Sequence, residues 1–140
     1  MIIGFTCGAF DLFHPGHVIL LQRCKQTCDY LIAGLHTDPT IDRPETKNKP
    51  VQTTFERYVQ LNACHYIDRI IPYDTERDLE NILATTKIDT RYLGSEYKGT
   101  QVTGEDICQE LGIEIVYIDR LHSYSSTELR NRLCNTLQHT

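Results

Sequence analysis

Two histidines three residues apart, His14 and His17, are the side chains of this sequence best placed to do chemistry. They close the run Gly8-Ala9-Phe10-Asp11-Leu12-Phe13-His14-Pro15-Gly16-His17. Pro15 suits a first helical turn, where a backbone N–H is not needed. Side chains three apart at a helix start point to the same side. The free N–H groups and positive dipole end of such a helix already make an anion site. Two imidazole donors beside it suit a phosphate that gains negative charge in a transition state. Gly8 permits a tight exit from whatever precedes it, and Gly16 lets a ligand approach the backbone. A metal centre built on both histidines would have only Asp11 and Cys7 nearby to complete it, a poor set of ligands.

A second cluster lies near the other end of the chain. Ser125-Ser126-Thr127-Glu128 has the spacing of a capping box, which starts a helix and presents hydroxyls and amides there, and Arg120 precedes it. Lys47 and Lys49 fall in a polar stretch, residues 36–51, that carries Pro39, Pro44 and Pro50. A loop of that length in a compact domain is usually functional.

The elements that must position these residues alternate in type. Short apolar runs at residues 2–7, 30–35, 69–73, 90–93 and 113–118 read as buried strands. Between them, helices are expected from Pro15 to Cys28, from the Thr53–Glu56 capping box to about His65, from Leu79 to Thr85, and around Ile107 to Leu111, closed by Gly112. A last helix follows Ser125. Strands alternating with helices imply right-handed βαβ units, hence a single α/β domain: a Rossmann-like, doubly wound, five-stranded parallel sheet with helices on both faces. Ligands in such sheets bind beyond the carboxyl ends of the strands. That is where the polar clusters fall.

Composition narrows the function further. A net charge of −5 over 140 residues argues against a nucleic-acid partner, which needs a broad basic face, but leaves room for a nucleotide held by a few local cations. No apolar run is long enough for a bilayer, and Met1 to Phe5 is too short for a signal peptide, so a cytoplasmic enzyme with no membrane contact is expected. The six cysteines sit inside apolar patterns without a C-x-x-C pair, which reads as reduced core thiols.

His14-Pro15-Gly16-His17, after a strand and Gly8-Ala9-Phe10-Asp11, resembles the H-x-G-H motif of the nucleotidyltransferase superfamily. Arg120 through Thr127 resembles its R-x-x-x-x-S-(S/T)-T stretch, and over nearly the whole chain the sequence is similar to the single-domain glycerol-3-phosphate cytidylyltransferases. The resemblance implies transfer of CMP from CTP to a phosphorylated small alcohol, with pyrophosphate released by in-line attack on the α-phosphorus. It also implies catalytic roles for His14, His17, Lys47 and Arg120. It implies nucleotide contacts from Gly8, Ala9, Phe10, Asp11, Gly16, Lys49, Gly94, Glu96, Ser125, Ser126 and Thr127. Asp38, Arg57 and His65 would meet the acceptor, and a homodimer is implied. Mg2+ would come with the triphosphate, with no firm protein ligand, although Asp11 is close enough to help orient it.

The pattern also departs from those cytidylyltransferases. His65 stands where they tend to carry a second arginine, and Leu121 and Ser123 replace a Thr and a Gly after the strand-five arginine. These departures fall where the acceptor should bind, so other phosphorylated alcohols, sugar phosphates and phosphonates stay open. Two further readings stand beside this one. The first is an ATP-dependent adenylyltransferase acting on a sugar phosphate or FMN; the second is a non-catalytic nucleotide-binding module.

Overall fold

The computed structural model describes residues 1–120 and 122–138. Its strands are β1 (Ile3–Gly8), β2 (Tyr30–His36), β3 (Arg69–Tyr73), β4 (Thr90–Gly94) and β5 (Glu114–Ile118). Its helices are α1 (Pro15–Gln26), α2 (Thr54–Asn62), α3 (Glu76–Thr85), α4 (Glu105–Leu111) and α5 (Ser126–Gln138), with a 3-10 turn at Ser95–Tyr97. All strand pairs are parallel, in the order β3-β2-β1-β4-β5. The expected doubly wound sheet is what the chain forms.

Two cores flank the sheet. Leu21 and Cys24 of α1, Cys28 just beyond it and Leu61 of α2 pack on Leu31, Ala33, Leu35 and Tyr92. Leu79 and Leu83 of α3 and Cys108 of α4 pack on Phe5, Ile32 and Tyr73 behind them. The alternation of side chains along each strand therefore decides which layer a residue joins. Gly4 of central strand β1 leaves room for the Tyr92 ring of β4 and for Cys28: a Cβ there would lie 2.6 Å from the ring and 2.9 Å from the thiol.

Aspartates fix the register. Asp29, Asp68 and Asp89 immediately precede β2, β3 and β4. Their carboxylates accept from the backbone N–H of Ile2 (2.6 Å), Leu31 (2.8 Å) and Ile3 (2.8 Å), each within a residue of the start of a neighbouring strand. The register then brings Gly8 beside Leu35, His36 beside Tyr73, and Gly94 beside Ile118. The carboxyl ends thus form one rim, and β1 and β4 mark the place where the winding reverses.

Boundaries differ from the sequence reading in instructive ways. α3 starts at Glu76 because Thr75 and Asp78 form a reciprocal box, with both bonds at 3.1 Å, using the shorter acid in place of glutamate. α2 ends at Asn62, short of His65. At α5 only half of the expected box forms: the Glu128 N–H donates to Ser125 Oγ at 3.0 Å, while the Glu128 carboxylate pairs with Arg132 at 2.7 Å. Cys134, read as a core thiol, is exposed on α5; Cys24, Cys28 and Cys108 are buried as expected, and all six thiols are free. Among the described residues no helix is long and apolar enough to cross a membrane.

Candidate active site

The loop leaving β1 is held in a demanding conformation. Phe10 and Leu12 have φ of 50° and 52°, the left-handed region that side chains other than glycine rarely adopt. Asp11 between them is buried, and its carboxylate accepts three bonds: from Val51 N–H (2.8 Å), Gln52 N–H (2.9 Å) and the Arg130 guanidinium (2.8 Å). The Ser126 hydroxyl donates to the Asp11 carbonyl at 2.7 Å. One aspartate therefore ties the β1 loop to the segment before α2 and to α5. Both of its oxygens are engaged in this way.

The two histidines are fixed by backbone donors. His14 is the N-cap of α1, and its Nδ1 accepts from Gly16 N–H at 3.0 Å. The Nδ1 of His17 accepts from His14 N–H at 3.2 Å. The rings stack at 3.8 Å between centroids, and Phe13 lies parallel to His17 on its other flank at 5.5 Å. A neutral imidazole that accepts at Nδ1 carries its proton on Nε2. Burial favours that neutral form. It lowers His14, with Arg120 adding to the effect, and lowers His17 to about 3, with the neighbouring His14 adding to it. At neutral pH both rings are therefore uncharged Nε2–H donors. Gly16 is obligatory here, since a Cβ would fall 2.8 Å from Cε1 of His14 and 2.8 Å from the His122 ring.

These rings lie in a cleft of about 910 Å³ along the carboxyl rim. The cleft brings together His14, His17, Lys47 and Arg120, and with them Gly8, Ala9, Phe10, Asp11, Gly16, Gly94, Glu96, Ser125, Ser126 and Thr127. The N-terminal ends of α1 and α5 both open on it, an arrangement suited to anions. Six cationic side chains (Arg23, Arg43, Lys47, Arg91, Arg120 and Arg130) line it against four acidic ones, although the chain as a whole is acidic. Arg120 is looped back onto the carbonyl of Tyr124. Leu121 lies outside the described residues, and Ser123 is exposed.

Four expected residues lie elsewhere. Lys49, Asp38 and Arg57 line a separate, shallower hollow, and His65 is exposed beyond α2. Arg57, expected at the acceptor, is buried with all its N–H groups spent inside the protein. Nε donates to Gln52 O (3.2 Å), Nη1 to Ala9 O (3.0 Å) and His36 O (2.7 Å), and Nη2 to Thr37 O (2.6 Å) and Thr54 Oγ1 (3.3 Å). It fastens the ends of β1 and β2 to α2. The sequence reading also passed over Arg130, Arg91 and His36, which the fold delivers to the cleft. Arg130 had a signal, being the residue one turn beyond Ser126 on the same helix, and so had His36, the last residue of β2 and the first of the polar stretch 36–51; Arg91 sits inside β4 and had none.

A family model described as cytidylyltransferase-like matches residues 5–132. Among curated relatives, the bifunctional protein HldE of Paramagnetospirillum magneticum is 34% identical over 125 residues, covering 89% of this chain and 25% of that protein. The HldE of Rhodopseudomonas palustris strain BisB18 is 36% identical over 135 residues, covering 95% and 27%. The chain thus spans about a quarter of the length of these relatives. Among solved structures, a lipopolysaccharide core biosynthesis protein from Thermoplasma volcanium superposes with a TM-score of 0.67 at 26% identity, covering 89% of this chain and 99% of that one. Pantothenate synthetase from Thermus thermophilus, at 12% identity and a TM-score of 0.62 over 94% of this chain and 64% of that one, shares the fold.

Proposed function

The chain belongs to the cytidylyltransferase-like family, and from that membership and the site we propose that it transfers a nucleoside monophosphate from an NTP to the phosphate of a small polyol or sugar. An oxygen of the acceptor phosphate attacks the α-phosphorus in line. The bond from that phosphorus to the bridging oxygen breaks, and pyrophosphate leaves with the electron pair. No covalent enzyme intermediate is required; the protein supplies position and charge.

One observation carries this reading: His14 and His17 are both neutral, both pinned at Nδ1 by backbone N–H groups, and both left with an Nε2–H donor at a helix N-terminus. Donors fixed before the reaction are what stabilises charge developing on a transferring phosphoryl group. In this reading the histidines meet the α-phosphate and its bridge, Lys47 faces the departing pyrophosphate, and Arg120 with the α5 N-terminus holds the remaining phosphates. Mg2+ enters as part of the substrate, carried by the triphosphate, since the Asp11 oxygens are engaged by Val51, Gln52 and Arg130. A homodimer belongs to the same proposal, and exposed Phe55 and Val59 on α2 offer it an apolar face.

CTP is the first choice of nucleotide, from the family and the basic loop. A second reading, ATP with a sugar phosphate, is favoured by the HldE relatives and by the neighbour titled a lipopolysaccharide core biosynthesis protein, which points toward a saccharide acceptor. Thermal stabilisation by each of the four NTPs with Mg2+ separates these, because a ligand that binds only the native state raises the melting temperature. A shift confined to CTP supports the first reading and a shift confined to ATP the second. No shift with any nucleotide would remove both.

A further inference from the structure

The cleft has a second end, on the face of the sheet away from α1. There the strands present Cys7, His36, Tyr73 and Arg91, all on the side covered by α3 and α4, and Glu76 at the start of α3 joins them. This end is distinct from the helix N-termini assigned to the triphosphate. At about 910 Å³, the whole cleft lies toward the upper end of the range for small-molecule sites, roughly 300–1,000 Å³. It has room for more than a nucleotide.

Two buried residues in the wall of this space carry polar atoms that have no hydrogen-bond partner. Arg91 stands mid-strand beside Phe5, only 2% exposed. Its Nη1 donates to the Thr103 carbonyl at 2.5 Å, but its Nε has no hydrogen-bond partner. Among the described residues no carboxylate pairs with its guanidinium; Glu76 is already engaged by Arg43 at 2.7 Å. His36, from a different strand, is 4% exposed and stacks on Tyr73 at 4.6 Å, and its Nε2 also has no partner. A buried cation without an anion and a buried ring nitrogen without a hydrogen-bond partner are both costly. An anion in the cleft beside the Arg91 guanidinium would offset the cost of that unpaired charge.

We infer that Arg91, together with His36, forms the acceptor subsite and holds an anionic oxygen group of the acceptor at the inner end of the cleft. Arg91 is then a specificity-determining residue, its guanidinium charge selecting for an acidic small molecule, with the His36 ring beside it. The inference rests on the nucleotidyl-transfer reading above and adds to it the residues that recognise the second substrate.

The test uses the protein saturated with Mg2+ and the α,β-methylene analogue of its preferred nucleotide, so that the triphosphate site is closed to other anions. Inorganic phosphate, glycerol 3-phosphate and glucose 1-phosphate are then titrated calorimetrically into the wild type, Arg91→Met and Arg91→Lys. The wild type should bind at least one of the three. Arg91→Met should weaken that binding about 10- to 100-fold, the loss of one charge-assisted contact. Arg91→Lys, which keeps the cation but lacks the planar fork of donors, should fall between them, and the nucleotide-induced thermal shift should stay unchanged in both variants. Wild-type affinity in Arg91→Met or Arg91→Lys, or no binding of any phosphate to the nucleotide-loaded wild type, would overturn the inference. A wild type that shows no shift with any nucleotide would instead overturn the reading on which it rests.

Discussion

His14→Asn should separate the two jobs that His14 performs. The histidine caps α1 through Nδ1, 3.0 Å from Gly16 N–H, and offers Nε2–H to the cleft. Asparagine is among the best N-cap residues, and its side-chain oxygen can accept the same N–H, but it has nothing at the Nε2 position. The capping bond therefore survives, and the structural loss is chiefly the ring stacked on His17 at 3.8 Å, worth about 0.5–1.5 kcal/mol. The catalytic loss is larger: removing one fixed donor to a developing charge costs about 2.7–4 kcal/mol, or roughly 10²- to 10³-fold in turnover. His14→Ala loses the donor and the cap together, so it should show similar turnover but about 1 kcal/mol less stability than His14→Asn. Pyrophosphate release under saturating substrates reads the first quantity, and urea unfolding the second. Turnover of His14→Asn within fivefold of wild type, or equal stability of the two variants, would refute the double role.

Other expectations follow from the same geometry. His17 is neutral in the fold with a pKa lowered to about 3, so the folded protein takes up its proton later than the unfolded chain does. Its stability contribution is present above the unfolded value of about 6.5 and is lost as pH falls from there toward 3, on the order of 5 kcal/mol in all. Urea midpoints across that range should fall more steeply for wild type than for His17→Asn. Gly16→Ala should force the His14 ring aside, since its Cβ would come within 2.8 Å of Cε1; a cost of about 1–3 kcal/mol in unfolding and a clear loss of turnover are expected. Arg57→Met should strip donors from the carbonyls of Ala9, Gln52, His36 and Thr37 and destabilise the fold by about 4 kcal/mol, measured by urea denaturation.

The alternation of strands and helices was readable because each element carries its own period and its own start signal. The two helix starts on the rim were readable for a related reason: His14 to His17 and Ser125 to Thr127 are local runs that carry their own cap signals. What escaped depends on distant partners. Nothing around Arg57 announces that four carbonyls from three segments converge on it, so a buried clamp reads as an acceptor-binding cation. Arg91 sits in Thr90-Arg91-Tyr92-Leu93, which reads only as a strand, and its placement under the cleft follows from pairing with Phe5 across the sheet. The bond from Arg130 to Asp11 spans almost the whole chain. Phe10 and Leu12 adopt positive φ without being glycine, so their conformation is imposed by surrounding contacts, among them the Asp11 bonds and the 2.7 Å bond from Leu12 N–H to Gln52 Oε1.

Following the α-phosphate tests the central claim most directly. The protein would be incubated with Mg2+ and each NTP labelled at the α-phosphate, together with glycerol 3-phosphate, hexose 1-phosphates or FMN. Transfer of the label to one of these acceptors, with an equal amount of pyrophosphate released and the signal abolished by His14→Asn with His17→Asn, is the result this account predicts. Label remaining in the nucleotide with every NTP and acceptor, or phosphate released from the γ-position instead, would contradict it.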